Sequence, residues 1–410
     1  MSPKTTVVIL CFAGDKGTSQ LLEPVLAQVQ LGLCQLGDLA HDVRVLCYYR
    51  RFDAETGYYF EIRPNVPTFS GDDCVMLIQE NLSEICGAQP IGGDILAQLR
   101  TFCDLVNTRL PTEGPVHIVI GAHGIAAEGI SSTGLFLLFT SLFRNTDPTL
   151  KTLSVWSRIV SLWTRIRRIG HPPGALLAGS ISEVIGLDNL NGAIARISRV
   201  SSVFFHTCNL STIESICALP VAKFHIAFQH DLLGRVPFAK WFGTLADSSS
   251  RFERIAADAL NSIGSDSCPT THGWTSAHVT DMSLQLLQAL DELGRHLTDF
   301  LNCDEQRATC SIKNARVPLL NYFTDAILFS KNLAADDNVS RPCQAAASCF
   351  AAEVERLQIQ TRPAGVSDKR TGISLYLPAK GNSGINTSCL PTSMQTTSPC
   401  WIEFLERWTS

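Results

Sequence analysis

The chain has 410 residues, of which 45% are hydrophobic and 17% are charged, so it can bury a sizeable core and is not expected to be disordered. A net charge of −5 without a long basic run argues against a surface for nucleic acid. No apolar stretch is long enough to cross a bilayer, which excludes a predicted transmembrane segment.

The first fifty residues favour a parallel sheet. Residues 5–12 and 43–49 are apolar runs typical of buried strands, and residues 21–36 between them carry apolar side chains at helical spacing. A strand, helix and strand in this order predict a parallel pair joined by a right-handed crossover. Residues 53–73 are polar, with glycine, proline and aromatic residues, and are predicted to form a loop or a hairpin.

A histidine follows the next predicted strand. Residues 95–110 are predicted to form a helix that leads into an apolar strand at residues 116–120. His123 comes three positions after this strand and is followed by Gly124, so it would lie on a sharp turn at the strand end. It could act as a general base, or it could be an ordinary hydrogen-bonded polar residue.

A cysteine occupies a similar place in residues 201–215. The β-branched and aromatic run at residues 203–205 indicates a buried strand, preceded by a helix predicted at residues 188–200. Ser211 is the expected cap of a helix that begins after Cys208. The N-terminus of that helix would lower the pKa of the thiol and favour the thiolate.

Cys208 and His123 could therefore meet, although 85 positions separate them. The carboxyl ends of parallel strands lie at one edge of the sheet, which is where open α/β sheets place their chemistry. A cysteine beside a histidine is the arrangement of nucleophilic catalysis. The alternative is structural, because cysteine is among the most buried residue types and this chain contains 15.

Residues 134–187, between the two motifs, have an unusual basic helix pattern. Apolar side chains at residues 153–166 follow helical spacing, while Arg165, Arg167 and Arg168 lie mostly off the apolar stripe. One interpretation is a helix packed on the body with a solvated basic edge. Another is a surface for a partner or an anionic membrane.

The chain beyond the cysteine is predicted to return once to the sheet and then to become helical. Residues 224–229 form the predicted strand, and residues 230–237 form a loop placed to line a substrate cleft. Leucines recur at intervals of four, three and four residues at positions 286, 290, 293 and 297, which predicts an amphipathic helix. Residues 345–357 are predicted to form another helix.

The last part of the chain is predicted to add a strand to the main sheet at residues 373–377. The serine- and threonine-rich stretch at residues 382–398 is predicted to be a loop, and residues 401–408 a short closing segment.

Motifs for other chemistry are missing from the sequence. It has no P-loop, no H-E-x-x-H, no paired C-x-x-C and no G-x-S-x-G, so no cofactor is predicted. His225 and His230 would point to opposite faces of an extended strand and are poor candidates for a metal site.

Several motifs together resemble those of the clostripain family, within the caspase–haemoglobinase clan of cysteine peptidases. They occur in the family's order and span nearly the whole chain. The similar segments are the first strand and following Asp at 6–15, the histidine motif at 122–124, the nucleophile motif at 206–210, the next strand at 227–229 and the glycine-to-proline strand at 371–378. The resemblance implies a three-layer α/β/α caspase-like sandwich with a mostly parallel central sheet and additional C-terminal helices.

The resemblance also implies a mechanism. Cys208 would attack the scissile carbonyl, and His123 would accept the thiol proton and protonate the leaving amine. The backbone N–H groups of Gly124 and Cys208 would form the oxyanion hole. Activation in this clan often involves a cut between the two catalytic motifs, so the preferred hypothesis makes 134–187 a cleavable linker within a zymogen.

Substrate preference is less well defined. The family has an Asp two residues before the nucleophile that helps select Arg or Lys before the cut, and this chain has His206 there. A histidine does not bind a guanidinium as a carboxylate does. Asp231 and Glu128 are the candidate replacements, each with the alternative of being an ordinary surface acid, and a basic preference is retained from the family.

The predicted organisation is a catalytic core at residues 1–240, a mainly helical addition at 241–365, and a strand with a C-terminal tail at 366–410. The expected partners are a protein or peptide substrate and an activating protease. The resemblance implies that calcium could be a cofactor, although no motif in the sequence supports a calcium site. A catalytically inactive peptide-binding or scaffold protein is the alternative function.

The expected location is the cytoplasm, although several members of the resembling family are exported. The N-terminus has no cleavable apolar leader, and 15 scattered cysteines fit a reducing compartment. A bacterial signalling or defence role would be consistent with a protease held inactive in that compartment.

Overall fold

A nine-stranded mixed sheet forms the centre of the computed structural model. The structure describes residues 4–12, 29, 32–50, 56–63, 88–111, 113–126, 129–130, 175–177, 184–207, 210–229, 238–246, 254–255, 275–279, 283–319, 323–362, 371–380, 387 and 390–410. The strands in these ranges are β1 (Thr5–Phe12), β2 (Val43–Arg50), β3 (Gly57–Ile62), β4 (Gln89–Ile91), β5 (Val116–Gly121), β6 (His123–Ala126), β7 (Gly129–Ile130), β8 (Ala175–Leu177), β9 (Val184–Ile185), β10 (Val200–His206), β11 (Phe224–Phe228), β12 (Thr275–Val279), β13 (Pro318–Leu319), β14 (Phe323–Asp325), β15 (Gln358–Arg362) and β16 (Ser374–Tyr376).

The α-helices of the described ranges cover both faces of the sheet and extend it at the C-terminus. They are α1 (Ile95–Arg109), α2 (Leu187–Ile194), α3 (Ile213–Ala218), α4 (Phe238–Ala246), α5 (Ser283–Cys303), α6 (Glu305–Ala315), α7 (Ala326–Ala335), α8 (Arg341–Leu357), α9 (Thr392–Thr397) and α10 (Pro399–Thr409). None of the helices in this part of the chain is long and apolar enough to span a bilayer.

The main sheet is parallel at its centre and antiparallel at its edges. Its strand order is β15-β12-β11-β10-β5-β1-β2-β3-β4. The five strands from β11 to β2 are parallel, while β3, β4, β12 and β15 run antiparallel to their neighbours. The predicted α/β fold with a mostly parallel centre is therefore confirmed, and β3 forms the hairpin that was one of two predictions for residues 53–73.

Side chains along each strand point alternately to the two faces of the sheet, so a hydrophobic core forms on each face. Val7 and Ile9 point to the face covered by Trp241 of α4, and Val8 and Leu10 point to the face covered by α1 and α2. Helices on both faces of one sheet make the three-layer sandwich that was predicted.

A third core is formed by the C-terminal helices α5 to α10. The four leucines predicted to form one helical face, Leu286, Leu290, Leu293 and Leu297, are all fully buried in it. Ile213 and Ile216 of α3 belong to the same core, so the helix after the cysteine motif joins the C-terminal helices to the sheet. The proposed division at residues 240 and 365 stays a prediction. Two strands from the predicted helical addition, β12 and β15, belong to the main sheet.

The prediction that residues 373–377 add to the main sheet was wrong. β16 instead pairs with β14 in a separate three-stranded sheet, β13-β14-β16. A three-residue apolar run indicates a strand but carries no information about its partner, and here the contact of Tyr376 with Phe323 helps to select β14.

Two smaller boundaries also differ. The stretch predicted as a loop at residues 382–398 contains α9, whose first residue, Thr392, donates from its backbone N–H to Asp188 of α2 at 3.0 Å. That acceptor lies 204 residues away and is not visible in the local sequence. The helix predicted at residues 188–200 ends at Ile194, and the chain then turns before β10, where Arg199 has a φ of 62°.

Candidate active site

The two motif segments leave adjacent parallel strands at the same edge of the sheet. In the pairing of β5 with β10, Gly121 and His206 are Cα partners at the carboxyl ends of both strands. Ala122 is buried and leads into β6, which begins at His123, while Thr207 is buried directly after β10. The described backbone therefore has both strand ends at one edge of the sheet, as predicted.

His123 and Gly124 lie on a second, smaller sheet. This sheet has the order β7-β6-β8-β9, and His123 pairs with Leu177 while Gly124 pairs with Leu176. The backbone after the histidine is therefore extended and paired with β8. The chain that joins β7 to β8, residues 131–174, carries Arg165, Arg167 and Arg168 and lies outside the described residues.

Helix α3 begins behind the cysteine motif with a reciprocal cap. The hydroxyl of Thr212 accepts from the backbone N–H of Ser215 at 3.1 Å, and the Ser215 hydroxyl accepts from that of Thr212 at 3.4 Å. Ser211, predicted as the cap, instead donates its hydroxyl to the carbonyl of Gly372. A partner 161 residues away draws Ser211 out of the capping role, so the cap moves to the next residue.

A buried carboxyl group lies on α3. Glu214 is fully buried, and its Oε1 accepts from the backbone N–H of Tyr376 in β16 at 2.8 Å. Burial raises the pKa of Glu214 to about 7 because the charged form is poorly solvated there. The sequence offered no signal for this contact beyond an acid in an otherwise apolar helix.

A second buried polar group follows β11. The side chain of Gln229 donates from Nε2 to Asp325 Oδ2 at 3.1 Å and accepts at Oε1 from the backbone N–H of Gly372 at 3.1 Å. Asp325 also accepts from the backbone N–H and the hydroxyl of Thr371, at 2.7 and 2.8 Å. Sequence reasoning missed this cluster, because its members are 46 to 143 positions apart.

Two histidines inside the sheet have structural surroundings. His117 Nδ1 and the Ser202 hydroxyl are 2.7 Å apart on the neighbouring strands β5 and β10. Burial lowers the pKa of His117 to about 4 and that of His225 to about 3, so both rings are neutral at pH 7. Both belong to the core rather than to the edge that carries His123.

The remaining predicted site residues are only partly described. His206 ends β10, and His123 and Gly124 begin β6, so their backbone positions are known. Cys208, Glu128 and Asp231 lie outside the described residues, and their roles stay predictions. Among the residues that the structure describes, no group of three or more His, Cys, Asp or Glu side chains could hold a metal ion.

Solved structures that are similar to this chain include cysteine proteases of the C11 group. A secreted C11 cysteine protease from Bacteroides thetaiotaomicron, called iotapain, matches with a TM-score of 0.59 and 13% identity over 99% of this chain and 100% of that chain. A secreted C11 cysteine protease from the same organism in complex with an irreversible peptide inhibitor matches with a TM-score of 0.58 and 12% identity, over 98% of both chains.

A third neighbour is an inactive zymogen C11 protease from Parabacteroides distasonis, with a TM-score of 0.56, 13% identity and 99% coverage of both chains. No protein-family model and no curated protein sequence matches this chain. The likeness extends over the whole chain and establishes the fold that clostripain-like proteases share.

Proposed function

We propose that the chain is a cysteine endopeptidase in which Cys208 is the nucleophile and His123 is the general base. The observation that carries the proposal is the pairing of β5 with β10, in which Gly121 and His206 are partners at one edge. Each motif residue follows its strand end by two positions, and two Cα steps span at most about 7.6 Å. Paired strands lie about 4.8 Å apart, so the two motifs leave the sheet close together, which supports the proposal that their side chains meet.

The chemistry follows from these two groups. The Cys208 thiolate attacks the carbonyl carbon of the substrate, and the proton taken up by His123 is then given to the leaving amine. Water hydrolyses the resulting thioester. The backbone N–H groups of Gly124 and Cys208 stabilise the oxyanion, and losing one such donor typically costs about 3 kcal/mol in the transition state. The whole-chain likeness to C11 cysteine proteases supports a cysteine peptidase in general.

Selective labelling tests the nucleophile. A peptidyl acyloxymethyl ketone should label the wild-type protein once, at Cys208, and the Cys208→Ala variant should neither react nor cleave peptides. Cys349→Ala is the matched control, since it removes an exposed thiol on α8 and should leave labelling unchanged. Unselective labelling would favour the alternative function, an inactive scaffold that binds peptides.

The proposed substrates have a basic residue before the cut. His206 stands where the resembling family has an acid, so Asp231 or Glu128 supplies the carboxylate in this proposal. A peptide-library cleavage profile measures the preference. Asp231→Asn and Glu128→Gln are the informative variants, and the one that loses selectivity for Arg and Lys identifies the acid.

The proposed enzyme is made as a zymogen that is activated by a cut between its two motifs. The support is that residues 134–174 of the predicted linker 134–187 fall between β7 and β8, and that β8 pairs with the strand that begins at His123. The last part of the predicted linker contains β8 and β9. Arg165, Arg167 and Arg168 are the candidate cleavage sites for this enzyme or for a separate activating protease. Mass spectrometry of active protein and of Cys208→Ala tests this, and an intact active chain would contradict it.

The proposed location is a reducing cytoplasm. Cys303, Cys310 and Cys349 are exposed thiols, which an oxidising compartment would convert to disulfides or oxidised forms. Fractionation of the native host with thiol counting tests this: the protein should occur in the cytosolic fraction with these three thiols free.

A further inference from the structure

Gln229, after β11, and Asp325, at the end of β14, form a buried amide and carboxylate pair that the proposed mechanism does not use. We propose that Gln229 and Asp325 are positioning residues that hold the backbone directly after the cysteine motif, at residues 210–212, and thereby set substrate affinity. This inference rests on the proposed peptidase function and concerns how that same site holds its substrate.

The pair lies at the edge of the sheet from which both motifs leave. β11 is the direct neighbour of β10, and Gln229 follows β11 at its carboxyl end, beside the strand that leads to the cysteine motif. The segment 230–237, with the candidate specificity residue Asp231, lies outside the described residues, so the inference depends on the described contacts alone.

Asp325 makes more hydrogen bonds than the capping of α7 requires. As the cap it accepts from the backbone N–H of Leu328 at 2.9 Å. It also accepts two hydrogen bonds from Thr371 and one from Gln229, although both residues are remote in sequence. Four donors fill the acceptor capacity of a carboxylate, and hydrogen bonds to a charged acceptor are stronger than neutral ones.

The network continues from Gln229 to the residues after the cysteine motif. Gln229 Oε1 accepts from the N–H of Gly372, which has a φ of 97° that favours glycine. The Gly372 carbonyl accepts from the Ser211 hydroxyl, and the Ser374 N–H donates to the Ser211 carbonyl at 2.8 Å. A continuous path of hydrogen bonds thus joins Asp325 to a residue three positions after Cys208.

The burial of the pair makes it sensitive to charge. Gln229 and Asp325 are 2% and 0% exposed, so water cannot screen a second charge placed between them. The Gln229→Glu substitution puts a carboxyl group 3.1 Å from Asp325 Oδ2. Two carboxylates so close share a proton at low pH, which preserves the hydrogen bond, and repel each other once both ionise.

The experiment measures peptide cleavage and melting temperature from pH 5 to pH 9 for full-length wild type and Gln229→Glu, after activation. Relative to wild type at each pH, we expect the KM of Gln229→Glu to be nearly normal at pH 5 and about tenfold higher at pH 8, with kcat changed much less. Gln344→Glu is the matched control, a partly buried glutamine on α8 that donates to the Asp336 carbonyl, and its KM should follow wild type at every pH.

Asp325→Asn keeps the inference falsifiable if Gln229→Glu does not fold. It retains an acceptor for the cap of α7 but removes the charge, and we expect a KM about tenfold higher without the pH dependence. The double variant Asp325→Asn with Gln229→Glu restores one acid and one amide, and at pH 8 its KM should be lower than that of Gln229→Glu alone.

The outcomes separate this inference from the function on which it rests. Variants that fold and keep the wild-type KM at every pH, whatever their melting temperatures, overturn the positioning role and leave the peptidase intact. A wild-type protein that neither cleaves peptides nor labels at Cys208 overturns the proposed function, and the inference with it.

Discussion

Buried ionisable residues make the free energy of unfolding of this chain depend on pH, and the histidines and the glutamate act in opposite directions. The folded state holds His117 and His225 neutral by lowering the pKa of each ring through burial. It also favours the neutral form of Glu214, whose pKa burial raises. Because folded and unfolded states bind protons differently at these positions, the free energy of unfolding must change with pH.

The Glu214→Gln substitution should remove one part of this dependence. The ordinary pKa of 4.5 applies in the unfolded chain, and the folded value is about 7, so the folded protein binds the extra proton between these limits. Wild type should therefore lose stability relative to the variant as pH rises from about 4.5 to about 7, with no further difference above pH 7.

Urea unfolding at half-unit pH intervals measures this difference. The amide retains an oxygen for the Tyr376 N–H, so the variant should fold. Glu355→Gln, at an exposed ion pair with Lys331, is the control and should give a pH curve parallel to that of wild type. Parallel curves for Glu214→Gln as well would contradict the predicted ionisation.

The buried pair of His117 and Ser202 predicts a second effect at the residue scale. Ser202→Ala removes the hydroxyl that lies 2.7 Å from His117 Nδ1 and should lower the free energy of unfolding by about 1–3 kcal/mol at pH 8. Ser348→Ala, an exposed hydroxyl that bonds within α8, should change it by less than about 0.5 kcal/mol.

His117 also affects how the free energy of unfolding changes at acidic pH. Its pKa falls from 6.5 to about 4 on folding, so its contribution to stability is present above pH 6.5 and is lost as pH falls toward 4. Chemical denaturation of Glu214→Gln at pH 4 and pH 8 measures the loss, because this variant lacks the opposing contribution of Glu214. A stability of Glu214→Gln that does not fall between pH 6.5 and pH 4 would contradict it.

At the scale of whole elements, close contact between α5 and α10 is the feature most sensitive to substitution. Gly294 of α5 faces the backbone of α10, and a Cβ at that position would lie 2.5 Å from the Cα and N of Trp401. Backbone atoms cannot move aside as a flexible side chain can, so only a glycine allows the two helices to approach this closely.

Gly294→Ala should therefore destabilise the C-terminal helices. Overpacking costs about 1–3 kcal/mol, which exceeds the gain of about 1 kcal/mol in helix propensity. Gly192→Ala in α2 is the matched control, because a Cβ there has nothing within 4 Å and the substitution should be neutral or stabilising. Thermal denaturation measures both, and equal effects of the two variants would mean that the helices separate easily.

At the scale of the whole molecule, the two halves that carry the motifs are joined by more than the chain between them. β5 pairs with β10 over six positions from each strand, and β6 pairs with β8. The core beneath α1 and α2 adds contacts between the halves, because α1 comes before the break and α2 after it. A break in residues 131–174 leaves every one of these contacts in place.

A cut in that segment should consequently leave one folded particle. A recognition site for a specific protease inserted after residue 150 allows the cut to be made at will. Both fragments should elute together at the size of the uncut protein in size-exclusion chromatography and separate only in denaturant. Separation under native conditions would show that the sheet pairing is too weak to hold the halves.

The local sequence was sufficient to predict many helices and strands and the positions of the two motifs. It was not sufficient to predict which remote segments these elements contact. The leucine spacing predicted α5, and the apolar runs before His123 and Cys208 predicted β5 and β10, because helical and strand periodicities are properties of short segments. The wrong sheet for β16 and the wrong cap for α3 share a cause. In both cases the deciding partner lies at least 49 positions away, as with the Ser211 hydroxyl and the carbonyl of Gly372.

The sequence by itself determined the fold class, the order of strands and helices in the core, and the candidate pair His123 and Cys208. Each of these depends on side-chain pattern within a few turns or strands. Only the tertiary structure decided that β5 and β10 are neighbours in register, and that Gln229, Asp325 and Gly372 form one buried cluster. Burial and hydrogen bonding between remote segments depend on how the layers pack, and no local pattern contains that information.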